Sequence, residues 1–415
     1  MNDVVSSDAL PEVVSRILSQ TKVKDIHTHL YDPAFGDLLL WGLDDLLVYH
    51  YLVSEAFRYF DGPYDEFFAL DKSAQAERIW NALFVEHSPI SEACRGVLTT
   101  LNALGLDPRK SDLATLRKWF AGQDASDYVG KCMELAGVKS ICMTNSPFDD
   151  LERPVWEKGF DRDPRFESAL RIDPLLLDWE TSWKQLSDWG YVESADLNDS
   201  TISGIRRFLA DWSTKMDSKY LMVSLPPTFR YPDDTVCVKI IEKAVLPHCK
   251  ESGLPFAMMP GVKRGVNPQL QLAGDGLAKC DVASFERMFS EFPDNKFLLT
   301  ALSKENQHEL CVVTRKFRNL HAFGCWWFTN IPSVIEEMTR LRLELIGMSV
   351  TLQHSDARVM DQTIYKWGHT RRVVSKVLAE KYQDLSVAGW HVTEQEIARD
   401  VELLFGGSYE AFCAR

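Results

Sequence analysis

The most informative stretch of this chain reads Val23-Lys24-Asp25-Ile26-His27-Thr28-His29, an alternating apolar run that ends in two histidines. On a β-strand, residues two apart point to the same face and lie about 6.5–7 Å apart. Two imidazoles at that spacing, placed at the end of a strand, can bind one divalent metal ion. His27 and His29 therefore predict a metal centre.

Seven further apolar or β-branched runs follow the first, and helical patterns separate them. The eight candidate strands are residues 23–27, 138–143, 168–172, 220–225, 255–259, 296–302, 320–326 and 348–352. Strands that alternate with helices predict a parallel sheet with right-handed crossovers. Eight such units predict an α/β protein, a (β/α)8 TIM barrel whose active site lies at the C-terminal ends of the strands.

Two long segments depart from this alternation. Residues 30–135 are mostly helical in pattern, which predicts a helical insertion after strand one that is able to cover the barrel mouth. Residues 361–415 predict C-terminal helices after strand eight. Because no internal repeat, low-complexity run or flexible linker is present, we expect residues 1–415 to form a single domain.

The charge balance narrows the choice of partners. A formal net charge of -14 argues against nucleic acid and anionic membranes. It would also repel an anionic small molecule at long range, so such a substrate needs a local cationic clamp, for which the planar fork of Arg is suited. We expect a small-molecule substrate. The sequence does not show the oligomeric state and is compatible with a homo-oligomer.

The nine cysteines bear on the cellular compartment. They include no C-x-x-C pair, so neither a zinc ribbon nor a disulfide framework is predicted. Reduced thiols fit the cytoplasm. The first residues, Met1-Asn2-Asp3-Val4-Val5, lack the basic and apolar regions of a signal peptide. We therefore expect a cytoplasmic protein.

The last candidate strand supplies the third metal ligand. It is followed by Gln353-His354-Ser355-Asp356-Ala357-Arg358. In a closed eight-stranded barrel, strand eight pairs with strand one at about 4.8 Å, which places Asp356 beside His27 and His29. Two imidazoles and one carboxylate form a facial ligand set that leaves positions open for water or substrate.

Several motifs of this chain occur together in one known family. They are residues 25–30 (DIHTHL), 40–47 (LWGLDDLL), 48–52 (VYHYL), 169–174 (ALRIDP), 323–328 (FGCWWF) and 353–358 (QHSDAR). With them, the chain from about residue 20 onward resembles the uronate isomerases of the amidohydrolase superfamily, in a shorter-chain branch. It departs from the longer members around Asp356, where they tend to have threonine and serine.

The resemblance implies an aldose–ketose isomerase that interconverts D-glucuronate and D-fructuronate, and also D-galacturonate and D-tagaturonate. It implies that His27, His29 and Asp356 hold one divalent metal ion. Zinc is expected first, and Mn, Fe or Co also suit these ligands. The residues that it places around the sugar acid are His50, Tyr51, Arg171, Arg358 and one Trp of the pair Trp326-Trp327.

Isomerisation removes a proton next to a carbonyl and returns it one carbon away, which needs a base and an electrophile for the developing oxyanion. Asp356 is the main candidate for the base, because a carboxylate that binds a metal through one oxygen keeps the other free. A metal-bound hydroxide, His50 or Tyr51 could share that role.

The other candidate residues have structural alternatives. Arg171 and Arg358 suit the carboxylate of a uronate, but Arg171 could equally pair with Asp173. His50 falls on one helical face with the leucines at positions 43, 46 and 47, which is typical of a core histidine. If the strand continues through Trp326 and Trp327, the two indoles lie on opposite faces.

Other reactions remain open on the same fold. A mononuclear metal-dependent hydrolase or decarboxylase of the amidohydrolase superfamily is the main alternative. A binuclear hydrolase is disfavoured, because the candidate strands 220–225, 255–259 and 296–302 contain no histidine. Two further alternatives keep the fold without catalysis. The protein could be an inactive one that only binds a sugar acid, or the candidate site residues could have a purely structural role.

Overall fold

The structure, a computed structural model, describes residues 4–415. Residues 1–3, on which part of the signal-peptide expectation rests, lie outside the described range. Seven parallel strands form one sheet in the order β1-β2-β3-β4-β5-β8-β9, and β6 and β7 form a separate antiparallel pair. The strands are β1 (Val23–Thr28), β2 (Val138–Asn145), β3 (Phe166–Arg171), β4 (Ser218–Val223), β5 (Phe256–Met258), β6 (Val262–Lys263), β7 (Gly276–Leu277), β8 (Phe297–Leu299) and β9 (Leu320–Ala322).

The seven-stranded sheet matches seven of the eight predicted strands, and it is buried on both faces. Along β4, Tyr220 and Met222 belong to the cluster inside the curled sheet. Leu221 and Val223 alternate with them and belong to the large cluster between the sheet and the helices. Both faces are covered by apolar residues, which explains why these strands read as continuous apolar runs in the sequence.

The predicted eighth strand, residues 348–352, is not formed. Within it, only Thr351 makes a bridge, to Phe323 of the segment after β9. Beyond Thr351, side chains take the place of a regular ladder: the Arg342 guanidinium donates to the carbonyl of Leu352 at 2.9 Å. Single backbone hydrogen bonds then connect this segment to the end of β1. The prediction of a regular strand here is wrong, although the segment lies beside the strands that were expected to flank it.

Helices cover the outside of the sheet and fill the chain between β1 and β2. The helices are α1 (Leu10–Gln20), α2 (Leu43–Leu47), α3 (His50–Ala56), α4 (Tyr64–Phe68), α5 (Lys72–Trp80), α6 (Glu92–Ala103), α7 (Leu113–Ala121), α8 (Ala125–Ala136), α9 (Glu152–Lys158), α10 (Asp173–Leu177), α11 (Trp179–Asp188), α12 (Asp199–Met216), α13 (Val236–Ile240), α14 (Leu246–Ser252), α15 (Val282–Glu291), α16 (Gln307–Thr314), α17 (Pro332–Leu345), α18 (Gln362–Val387), α19 (Glu394–Glu402) and α20 (Ser408–Cys413). No helix within residues 4–415 is long and apolar enough to span a membrane.

Local sequence signals explain where the helices between β1 and β2 begin and end. Asp71, Ser91, Asp112 and Asp124 each accept a hydrogen bond from a backbone N–H of the helix that follows, which satisfies donors that the first turn leaves free. Gly137 ends α8 in the left-handed conformation, with φ of 67°, directly before β2. These caps, rather than a continuous amphipathic pattern, divide the segment into short helices.

The C-terminal helices close the molecule at both ends of the sheet. Helix α18 contacts α1, α6, α8 and α17 and carries buried polar residues toward the carboxyl end of β1. At the opposite end, Tyr409 and Phe412 of α20 join the cluster inside the curled sheet. Lys24 of β1 pairs there with Glu167 at 2.7 Å and with Glu410 at 3.1 Å. The amino end of the sheet is therefore covered by α20, and α18 lies at the carboxyl end.

Two glycines inside long helices test this packing. An added Cβ at Gly204 of α12 would lie 2.0 Å from the carbonyl oxygen of Tyr191, whereas one at Gly368 of α18 meets nothing within 4 Å. We expect Gly204→Ala to destabilise the protein by about 1–3 kcal/mol through overpacking. Gly368→Ala should stabilise it by about 0.5–1 kcal/mol, because Gly is a poor helix former. Urea unfolding midpoints measure both, and equal shifts for the two variants would contradict the packing described.

Candidate metal centre

The three residues predicted to bind metal meet at one point. Ligand atoms of His27, His29 and Asp356 all lie within 4.8 Å of one another. Oδ1 of Asp356 lies 3.6 Å from Nε2 of His27 and 3.4 Å from Nε2 of His29. His27 and Asp356 are buried, and His29 is partly exposed. The two histidines come from the carboxyl end of β1, and Asp356 comes from the irregular segment beside it.

Hydrogen bonds assign the tautomer of His27. Its Nδ1 lies 3.2 Å from the hydroxyl of Tyr220 on β4. That hydroxyl donates its only hydrogen to the carbonyl of Ile26 at 2.8 Å, so it can only accept from the ring. When the imidazole is neutral, its hydrogen is therefore on Nδ1, and the lone pair on Nε2 faces Asp356.

His29 is held in the same way from the other side. Its Nδ1 lies 3.1 Å from the hydroxyl of Thr144 on β2, and that hydroxyl donates to the carbonyl of Thr28 at 2.8 Å. Burial lowers the pKa of His29 to about 3, against the opposing effect of Asp356. The ring is thus neutral at neutral pH, and its Nε2 also presents a lone pair.

The donor set fits a cation. Oδ1 of Asp356 is buried and has no hydrogen-bond partner, although buried polar atoms are normally paired. Two imidazole lone pairs and this carboxylate oxygen converge with no hydrogen between them, an arrangement that a metal ion satisfies and a hydrogen bond does not. The group of His27, His29 and Asp356 could hold a divalent ion.

Two adjoining cavities flank the centre. The smaller, about 40 Å³, is lined by His27, His29, Tyr49, His50, Arg171, Ser224, Val262, Arg264, Leu272, Asp275, Trp326, Trp327, Asp356 and Arg358. The larger, about 480 Å³, shares His29, Arg171 and Arg358 with it and includes several carboxylates, among them Glu152. The ligand set therefore borders a space that a small polar molecule can enter.

The two predicted arginines border both cavities but differ in their pairing. The Arg171 guanidinium donates to both oxygens of Asp173, at 3.1 and 3.0 Å. Among the ion pairs within residues 4–415, none involves Arg358. The Arg358 guanidinium is therefore the more available cation, whereas Arg171 makes the structural pair that the sequence had left open.

His50 and Tyr51 lie at the start of α3, and only the first of them borders a cavity. Nε2 of His50 is buried without a hydrogen-bond partner, and burial lowers the pKa of this imidazole to about 3. The expected helical face with the leucines at positions 43, 46 and 47 is not formed, because α2 ends at Leu47 and Tyr49 is extended. Tyr51 lines neither cavity.

The tryptophan pair departs from the expected alternation. Strand β9 ends at Ala322, and Trp327 begins a 3₁₀ turn with φ of 45°. Both Trp326 and Trp327 consequently line the smaller cavity, instead of facing in opposite directions. The Trp327 ring lies 5.5 Å from that of His50.

Sequence reasoning missed several residues of this site. Tyr49 and Arg264 line the smaller cavity, and Arg264 pairs with Asp275 across the hairpin of β6 and β7. Arg264 follows β5 closely, so the rule that barrel sites lie after strands could have found it. Tyr220 and Thr144, which orient the two histidines, have no sequence signal, because their role depends on which strands lie beside β1 or across from it in the curled sheet.

Comparison with known proteins identifies relatives among solved structures. Neither the protein-family models nor the curated proteins give a match. A uronate isomerase from Bacillus halodurans is 48% identical, with a TM-score of 0.97 over 100% of this chain and 98% of that chain.

Two further structures share the fold at low identity. A uronate isomerase from Thermotoga maritima is 14% identical, with a TM-score of 0.77 over 99% of both chains. A glucuronate isomerase from Caulobacter crescentus is 14% identical, with a TM-score of 0.69 over 98% of this chain and 94% of that one. At this identity, the likeness shows the fold alone.

The tautomer assignment yields a test. Tyr220→Phe removes the acceptor for Nδ1–H of His27 while keeping the ring. We expect zinc affinity to fall by about 10–100-fold, as is typical for the loss of a residue that orients a metal ligand. Competition with a chromophoric chelator measures the affinity, and Tyr191→Phe, at a partly exposed tyrosine bonded to Asp211, is the control. Unchanged zinc affinity in Tyr220→Phe would contradict the assignment.

Proposed function

Since this chain belongs to the uronate isomerase family, we propose that it catalyses the aldose–ketose isomerisation of a uronate. The proposed substrates are D-glucuronate, converted to D-fructuronate, and D-galacturonate, converted to D-tagaturonate. The observation that supports this most is the convergence of three lone-pair ligands beside the Arg358 guanidinium, which takes part in no ion pair within residues 4–415. Such a site can bind sugar oxygens at one end and a carboxylate at the other.

In this proposal, His27, His29 and Asp356 hold one divalent ion, with zinc expected first and Mn, Fe or Co as alternatives. When bound, such an ion stabilises negative charge that develops on the sugar oxygens and orients the substrate. The hydrogen bonds that Nδ1 of each ring donates to the hydroxyls of Tyr220 and Thr144 keep both Nε2 atoms free for it.

Proton transfer is assigned to the side chains around the centre. In the aldose-to-ketose direction, a base removes the proton from C2, an enediol forms, and the proton is returned to C1. Asp356 is the proposed base, through the carboxylate oxygen that does not face the histidines. His50, whose buried Nε2 lacks a partner at the cavity wall, is proposed to accept a hydrogen bond from a sugar hydroxyl. Tyr51, next to His50 on α3, is proposed to share proton transfer.

The uronate carboxylate is assigned mainly to Arg358. A planar guanidinium can bind both carboxylate oxygens, and that of Arg358 is not committed to an acidic side chain. Arg171 borders the same space but shares its charge with Asp173. Trp326 and Trp327 are proposed to pack against the carbon skeleton of the sugar.

We propose a single domain over residues 1–415 in which the segment at 351–357, without forming a regular strand, closes the sheet between β9 and β1 into a barrel. Residues 30–135 are then a helical insertion at the mouth, and residues 361–415 are the C-terminal extension. We further propose a cytoplasmic enzyme that acts on a small molecule, with no nucleic-acid or membrane partner, as a monomer or a homo-oligomer.

The reaction is tested in deuterated water. Zinc-loaded protein mixed with D-glucuronate should form the keto acid and incorporate deuterium at C1, because the migrating proton passes through a side chain that exchanges with solvent. Nuclear magnetic resonance follows both changes. Release of carbon dioxide would identify a decarboxylase instead, and the absence of any conversion with bound metal would contradict the proposed isomerisation.

The two arginines are predicted to respond differently to substitution. Arg358→Lys removes the planar fork, so KM for D-glucuronate should rise by about 10-fold or more, corresponding to roughly 1.5–3 kcal/mol for a charge-assisted hydrogen bond. The preference for the uronate over the uncharged aldose should fall with it. In Arg171→Lys the effect on this preference should be smaller. Uronate preference that survives in Arg358→Lys would rule out its role as the main carboxylate clamp.

A further inference from the structure

The carboxylate of the metal centre lies on a backbone segment with an unusual shape. Asp356 has φ of 52°, in the left-handed region that residues other than Gly rarely adopt. The segment at 353–358, hereafter the Asp356 strap, is not part of a strand. Something other than a β-ladder must therefore fix the direction in which the Asp356 side chain points.

The peptide group between Ser355 and Asp356 is held from both ends. Its carbonyl accepts hydrogen bonds from Nζ of Lys366 at 2.7 Å and from Nδ2 of Asn330 at 3.1 Å. Its N–H donates to the carbonyl of His27 at 3.2 Å. A peptide group is planar, so contacts at both ends fix its orientation. The orientation of this plane, together with the left-handed φ of Asp356, therefore sets the direction of the Asp356 carboxylate.

The preceding peptide group is also held by buried side chains. The N–H of Ser355 donates to Oδ1 of Asp25 at 2.9 Å, and Oδ2 of the same carboxylate accepts from Nε1 of Trp367 at 2.9 Å. Lys366 and Trp367 are neighbours on α18, so one helix reaches both sides of Ser355. Asp25 lies on β1, two residues before His27, and connects the strap to the strand that carries the histidines.

Lys366 is an unusual residue for this position. Its side chain is 1% exposed, and lysine is almost never fully buried unless it is paired. Burial lowers its pKa, while the nearby carboxylates of Asp356, Glu92 and Asp25 act in the opposite direction. The hydrogen bond that it makes is to the Ser355 carbonyl, and its Nζ lies 6.0 Å from the centre of the Tyr51 ring.

We propose that Lys366 is a positioning residue of the metal centre, which orients the Asp356 carboxylate by fixing the peptide between Ser355 and Asp356. This inference rests on the proposed metal site. Lys366 does not touch the metal ligands through its own donor, and its effect is exerted through the backbone. Asn330, the second donor to the same carbonyl, supports the same geometry.

Charge and geometry make opposite predictions for Lys366. Removing a positive charge close to a bound cation would, by Coulomb's law alone, strengthen metal binding. Releasing the Asp356 carboxylate from its fixed direction would weaken it. A side chain that contributed only to global stability would leave the zinc affinity of the folded protein unchanged.

The experiment compares zinc dissociation constants by chelator competition on the metal-free, full-length chain. Lys366→Met keeps the aliphatic stem and removes the donor, and we expect zinc binding that is about 10–100-fold weaker. Lys376→Met is the matched control, because Lys376 is on the same helix but exposed and paired with Glu336 at 2.9 Å. The control should bind zinc as tightly as the unmodified chain.

Asn330→Ala provides a second, independent variant if Lys366→Met does not fold, since it removes the other donor to the same carbonyl. It should also weaken zinc binding, by a smaller factor. Unchanged or tighter zinc binding in a folded Lys366→Met, or in Asn330→Ala when that variant carries the test, overturns the inference and leaves the proposed function intact. An unmodified chain that binds no zinc would overturn both.

Discussion

The site depends on one constraint: three electron-pair donors are forced to face each other inside a protein. Nε2 of His27, Nε2 of His29 and Oδ1 of Asp356 converge without a hydrogen between them. That arrangement is unfavourable for the isolated chain and favourable once a cation is bound. The hydroxyls of Thr144 on β2 and Tyr220 on β4 accept the imidazole hydrogens and oppose a change of tautomer, which would otherwise relieve this arrangement.

The same constraint explains the arrangement of the surrounding charges. Acidic side chains near the site are bound to other groups: Asp173 to Arg171, Asp25 to Trp367 and Ser355, and Glu152 to Tyr31 and Asn145. Oδ1 of Asp356, by contrast, is buried without a hydrogen-bond partner. In the proposed enzyme, a chain with a net charge of -14 would hold an anionic substrate through a metal ion and Arg358, because the local field at a site can differ in sign from the total charge.

Much of the fold and the metal site could be predicted from the sequence, because both depend on regular geometry. The two-residue repeat of a strand places His27 beside His29, and the closing neighbours of a barrel place Asp356 next to them. The predictions that were wrong concern places where side-chain or tertiary contacts override the strand pattern. In place of the eighth strand, the Arg342 side chain donates a hydrogen bond to the carbonyl of Leu352 and the Asp25 carboxylate accepts one from the N–H of Ser355. At Trp327 the backbone turns away from the strand direction. The orienting role of Tyr220 requires knowing which side chains face each other inside the curled sheet, which one sequence does not contain.

The most direct measurement is anomalous X-ray diffraction at the zinc edge from crystals of the zinc-loaded chain. The account predicts one strong peak within about 2.0–2.2 Å of Nε2 of His27, Nε2 of His29 and an oxygen of Asp356. A zinc peak located elsewhere, coordination through Nδ1 of either histidine, or an Asp356 carboxylate turned away from the ion would contradict it.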